Sequence, residues 1–120
     1  MDLPKTFDEF LDVCTTFQNA GVTPLAAGLK SWEPLLKSSM AFVTAEYLST
    51  DEGKGFGEKY RNGEVTMDGT WNPYIETWSQ LIDNGVYTAD MTGIDHDQAL
   101  EQFATGGSAM FCSGPWDYDA

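Results

Sequence analysis

Asp95-His96-Asp97-Gln98-Ala99-Leu100-Glu101-Gln102-Phe103-Ala104-Thr105-Gly106-Gly107-Ser108-Ala109-Met110-Phe111-Cys112-Ser113-Gly114-Pro115-Trp116 decides the fold class. Asp95 to Gln98 is a capping-box pattern, in which two side chains satisfy the first orphan N–H groups of a helix reciprocally. Ala99, Leu100, Phe103 and Ala104 follow at helical spacing and are expected to face inward. Gly106-Gly107 stop the helix. The apolar run from Ser108 to Ser113 reads as a short strand. Pro115 then suits the first turn of a further helix.

The same grammar opens the chain. Thr6-Phe7-Asp8-Glu9 is a second capping box, and Phe7, Phe10, Leu11, Cys14 and Phe17 recur at helical spacing. Gly21 ends that helix in a left-handed stop. Val22-Thr23-Pro24-Leu25-Ala26-Ala27-Gly28 reads as a buried strand entering a loop from Gly28 to Glu33. Pro34 starts a second helix, whose apolar face is Leu36, Met40, Val43 and Tyr47. A short helix over 56–61 is expected to stop at Gly63. Trp71, Tyr74, Ile75, Trp78, Leu81 and Ile82 mark a third long helix, with Pro73 in its first turn and Gly85 after its end. Trp71 and Trp78 share a face and read as core. Helices alternating with short strands predict an α/β class: mostly helical, with a small, mostly parallel sheet. Two strands are few for that class, so residues 1–120 read as a single incomplete α/β lobe of a larger protein.

Nineteen acids against six Lys and Arg give a formal net charge of −13. No Lys or Arg follows Arg61, whereas ten acids do, from Glu64 to Asp119. Such a surface repels phosphate, which excludes nucleic acid and anionic membrane as partners. No apolar run is long enough to span a bilayer. The stretch Met1 to Lys5 lacks the basic start and apolar middle of a signal peptide. Cys14 and Cys112 form no CxxC, and one His completes no familiar zinc set. Both cysteines read as small buried hydrophobes, with a disulfide between them the lesser option. His96, between Asp95 and Asp97, reads as an exposed first-turn residue, because neighbours on a helix do not converge on one point. No metal or cofactor is expected.

Four segments in register carry a resemblance: Pro4-Lys5-Thr6-Phe7-Asp8-Glu9-Phe10; Ala20-Gly21-Val22-Thr23-Pro24-Leu25; Leu81-Ile82-Asp83-Asn84-Gly85-Val86-Tyr87; and Ala99 to Met110 with Gly114-Pro115-Trp116. Together they resemble the central part of the second lobe of a family 1 extracellular solute-binding protein, the maltose-binding-protein-like carbohydrate component of bacterial ABC importers. The resemblance implies two α/β lobes joined by a hinge and closing on an oligosaccharide. It implies a carbohydrate ligand, a membrane permease as partner and no chemistry. It also implies an extracellular or periplasmic protein, anchored as a lipoprotein at full length.

Five residues become candidates for sugar contact. Trp116 follows a strand's carboxyl end, where open α/β sheets place ligands, and matches the Trp of the family's Gly-x-Trp segment, which stacks on sugar. Its other reading is a core residue at a helix start. Trp32 lies in the loop after the first strand, which lines the cleft in relatives; many of them place Trp directly before Pro, whereas Glu33 intervenes here. Trp32 as a packing residue is the alternative. Lys30 and Glu33 can bond sugar hydroxyls or stand as solvated loop charges. Asp117 can accept from a pair of sugar hydroxyls or stabilise a helix dipole.

Two other classes stay open. A glycoside-processing enzyme needs two carboxylates a few ångströms apart, and Asp117 is the one carboxylate placed for that. A non-catalytic protein-interaction module would use the aromatics as core alone. Contacts to one lobe must offset the entropy lost on binding, so these 120 residues alone are expected to bind oligosaccharide at about millimolar affinity or weaker. Calorimetry on the isolated chain checks this, and a micromolar constant contradicts it.

Overall fold

The computed structural model describes residues 3–118. Met1 and Asp2, part of the stretch read for an export signal, and the acidic Asp119 lie outside the described residues. In chain order the elements are α1 (Phe7–Asn19), β1 (Thr23–Ala26), α2 (Glu33–Val43), α3 (Phe56–Arg61), α4 (Met67–Thr70), α5 (Asn72–Asp83), α6 (His96–Ala104) and β2 (Ser108–Phe111). A π-helical turn, Thr44–Leu48, extends α2, and 3-10 turns occupy Ala89–Gly93 and Pro115–Asp117. The chain is mostly helical with one two-stranded parallel sheet, the α/β class that the helix–strand alternation predicts. It divides into two compact units: Met1–Pro34 with Leu81–Ala120, and Leu35–Gln80.

The first unit is built from two similar halves. Thr6 Oγ1 accepts from the Glu9 N–H at 3.2 Å and starts α1. The reciprocal bond shifts by one residue, because Glu9 Oε2 accepts from the Lys5 N–H at 2.6 Å instead of from Thr6. Cys14 is the deeply buried residue of α1; burial pushes its thiol pKa up. It forms no disulfide with Cys112, which is half-buried. Gly21, at φ +73°, turns the chain so that the Val22 N–H bonds to Phe17 O at 2.9 Å, and β1 follows at once. The capping box of α6 is complete: Gln98 N–H to Asp95 Oδ1 at 3.1 Å and Asp95 N–H to Gln98 Oε1 at 3.0 Å. Gly106, at φ +79°, ends α6 in the same way and β2 follows.

Thr23 stands opposite Ser108, Leu25 opposite Met110 and Ala26 opposite Phe111. Helix α1 packs on β1, and α6 packs on both strands. Leu25, Ala26, Ala27, Leu81, Val86, Tyr87, Met91 and Ala99 are buried with Cys14. Each larger side chain contributes a gross ~1.5–3 kcal/mol by leaving water. Both strands are shorter than the apolar runs suggest. The Leu29 N–H bonds to Ala27 O and Met91 O, each at 3.1 Å, which takes the chain out of the ladder after Ala26.

Two inward assignments on α6 are corrected. Ala104 and Phe103 are exposed, and the Phe103 ring stacks on Phe111 at 6.0 Å. A two-stranded sheet is a narrow platform, and Ala99 is the fully buried residue of α6. Ile82 is also exposed. It neighbours buried Leu81, and consecutive helical side chains diverge by about 100°.

In the second unit Val43 and Tyr47 are buried, while Leu36, expected on the apolar face, is exposed. The Tyr47 ring meets Phe56 edge-on at 6.0 Å and stacks on Tyr74 at 5.8 Å. Trp71 packs on Phe56 at 5.4 Å, and Trp78 Nε1–H donates to Ser38 Oγ at 2.9 Å. Helix α3 has the expected bounds. Helix α4 was not anticipated; Thr66 caps it, its Oγ1 accepting from the Gly69 N–H at 3.1 Å. A Cβ on Gly53 would overlap the Tyr47 carbonyl, whereas one on Gly57 in α3 would meet nothing within 4 Å. Gly57→Ala is therefore expected to stabilise the chain by about 0.5 kcal/mol. Gly53→Ala is expected to destabilise it by about 1–3 kcal/mol. Urea unfolding midpoints check the pair, and equal midpoints contradict this packing.

Candidate functional site

Parallel pairing sends both strands to the same edge of the sheet. The loop from β1 to α2 and the loop after β2 leave that edge together. In open α/β sheets the crevice outside the strands' carboxyl ends is where ligands bind.

The first loop is pinned from below. Ala27 and Gly28 stay buried beyond β1. A Cβ on Gly28 would lie 2.7–2.8 Å from the backbone of Asp95 and His96, so only glycine lets the loop run this close to the start of α6. The Lys30 N–H donates to Ile94 O at 3.1 Å, while the residue itself is exposed. Trp32 is 68% exposed. Glu33 opens α2 instead of lying in the loop, as the sequence suggested. Its N–H reaches Ser31 Oγ at 3.4 Å, and Pro34 follows in the first turn, where no N–H is needed.

The second loop ends in the single 3-10 turn Pro115–Asp117. Trp116 is 62% exposed, so it is not a core residue of this unit. Its indole lies over Gly114 so closely that a Cβ there would collide with the ring. Asp117 is held by side chains. His96 Nε2 stands 3.0 Å from both carboxylate oxygens, and the Ser113 hydroxyl donates to Oδ2. A carboxylate only accepts, so His96 Nε2 carries the hydrogen of this pair. The Asp117 side chain is 15% exposed and that of His96 44%. The His96 ring packs on Phe111, the last residue of β2, at 5.6 Å.

His96 therefore corrects the sequence reading. It is half-buried and engaged, not a solvated residue of the first turn. One signal was present. After Arg61 it is the one side chain able to carry positive charge, in a stretch of ten acids. Its partner depended on tertiary packing, since the folding of β2 back along α6 brings position 117 beside position 96. Trp116 and Asp117 share one turn; Lys30 and Trp32 lie on the other loop at the same edge, and Glu33 opens the helix that follows that loop. Among the described residues no three His, Cys, Asp or Glu cluster as metal ligands.

A cavity of about 340 Å³ lies elsewhere, flanking the amino end of β1. Gln18, Thr23, Pro24, Thr88, Asp90 and Gln102 are among its walls, and none of the five candidates is. At the candidate site itself the two indoles, Trp32 and Trp116, are exposed.

An α/β unit with aromatic and polar side chains at the carboxyl edge of a parallel sheet is the class defined here. No family model matches the sequence, and no curated protein does. The chain is similar in fold to a solved structure from work on xylan utilization by the thermophilic bacterium Caldanaerobius polysaccharolyticus, with a TM-score of 0.81 and 26% identity. The match covers 97% of this chain and 29% of that one, so the chain spans under a third of that neighbour's length.

In the cavity wall the Thr88 hydroxyl, and then the local backbone N–H, hold the Asp90 carboxyl below the usual carboxylate range. A depressed folded value contributes stability that is present above the unfolded value, about pH 4, and lost as pH falls through the folded one. Thr88→Val is expected to return the Asp90 midpoint toward the ordinary range and to weaken that acid dependence. An NMR titration of the carboxyl carbon checks it, and an unmoved midpoint contradicts it.

Proposed function

We propose that this chain forms part of one lobe of a carbohydrate-binding protein and holds an oligosaccharide at the carboxyl edge of its sheet. The observation that carries the reading is the exposure of Trp32 and Trp116 on two loops that parallel pairing sends to one edge. Exposed indoles are costly unless something covers them, and the weakly apolar C–H faces of a sugar suit an aromatic ring. Lys30, Glu33 and Asp117 supply donors and acceptors for hydroxyls. The likeness to a structure from work on xylan utilization supports a carbohydrate ligand.

The finer reading follows the sequence resemblance. The complete protein has two lobes and a hinge, belongs to the family 1 extracellular solute-binding proteins and delivers sugar to the permease of an ABC importer. It works outside the cytoplasm, anchored as a lipoprotein. Binding is by stacking and hydrogen bonds, without chemistry. A sugar that touches both lobes favours the closed form only as far as it prefers that form.

The carboxylates of Asp117 and Glu33, in a chain of net charge −13, favour neutral sugars over uronic acids. In the full-length protein, titrated with neutral xylo-oligosaccharides by calorimetry, Trp116→Ala is expected to cost about 2 kcal/mol, roughly thirtyfold in affinity. Unchanged affinity contradicts the assignment of Trp116. Tighter binding of a uronic-acid oligosaccharide contradicts the assignment of Asp117 as a hydroxyl acceptor.

A further inference from the structure

His96 is the residue that neither the sequence resemblance nor the choice of candidates includes, and the geometry gives it a role. We propose that His96 is a positioning residue of the sugar site: it holds the Asp117 carboxylate in the orientation that accepts a sugar hydroxyl. The inference rests on the carbohydrate reading above and deepens it.

Three observations carry it. First, His96 Nε2 is 3.0 Å from both oxygens of Asp117, while Ser113 donates to Oδ2. Both donors are side chains of this chain, and together they fix the orientation of the carboxylate at the sheet's carboxyl edge. Second, the imidazole is itself located. It packs on Phe111 at 5.6 Å, and its backbone sits at the start of a helix with a complete capping box. Gly28 presses against that same backbone from the other loop. Third, no Lys or Arg follows Arg61, so His96 is the one side chain able to carry positive charge in the stretch that holds Asp117. Asp117 follows Trp116 directly, so a carboxylate swinging free would also loosen the turn that carries the indole.

The test uses the full-length protein and neutral xylo-oligosaccharides. His96→Leu keeps the bulk but removes the donor; His96→Gln returns an N–H near the position of Nε2. Calorimetry is expected to show about a tenfold loss for His96→Leu, the size of one hydrogen bond to a charged group, and recovery to within about threefold of the parent for His96→Gln. In an Asp117→Asn background His96→Leu should cost little more, because the group it positions is already altered. Thermal unfolding of each variant separates affinity from folding, and His96→Gln keeps the test open if His96→Leu fails to fold. A parent protein that binds, with His96→Leu at parental affinity or with His96→Gln as weak as His96→Leu, overturns the inference alone. A parent that binds no oligosaccharide overturns the carbohydrate reading, and this inference with it.

Discussion

The parallel pairing of β1 with β2 is the constraint on which everything else depends. Its strands come from opposite ends of the chain, so no local signal holds them together. The ladder must offset the closure of a long intervening segment. What makes it worthwhile is burial: α6 packs on both strands and α1 on β1, so pairing creates the surface that covers Cys14, Leu25, Ala26 and Ala99. Direction matters as much as pairing. An antiparallel pair would put the Trp32 loop and the Trp116 turn at opposite ends of the sheet. The parallel pair puts them at one edge.

The start of α6 is the second fixed point, and it serves both loops. The complete capping box fixes the backbone of Asp95 and His96. The first loop lies against that backbone through Gly28 and is stitched by the bond from the Lys30 N–H to Ile94 O. The second loop reaches it through Asp117 and His96. Neither loop needs to touch the other for both to be placed. Two exposed indoles and their polar neighbours are thus carried by short segments whose backbones are tied to a capped helix.

How much was legible follows from the range of each signal. The helix–stop–strand order could be read because its parts are local: a cap at Thr6 or Asp95, an apolar period, then Gly21 or Gly106. The short α3 was legible for the same reason. Reading failed where an outcome depended on what lies across the fold. Phe103 has the right spacing to be core, but it stays exposed with its ring stacked on Phe111 at the narrow two-stranded sheet. Glu33 looked like loop because Pro34 looked like a start, whereas the helix begins one residue earlier, at Glu33. His96 looked solvated because its sequence neighbours cannot converge with it, and its true partner stands 21 positions away.

The acidity of the chain gains a narrower meaning from this geometry. A carboxylate at a ligand edge is useful to a sugar only if it is held still and not fully consumed by its own protein. A lysine or arginine beside Asp117 would hold it strongly, but a guanidinium fork occupies both oxygens and leaves less for a ligand. At Asp117 an imidazole N–H and a serine hydroxyl both donate to the carboxylate. Among the five candidate side chains Lys30 is the one cation, against the carboxylates of Glu33 and Asp117, so the charge balance of that edge suits a neutral, hydroxyl-rich ligand better than an acidic one.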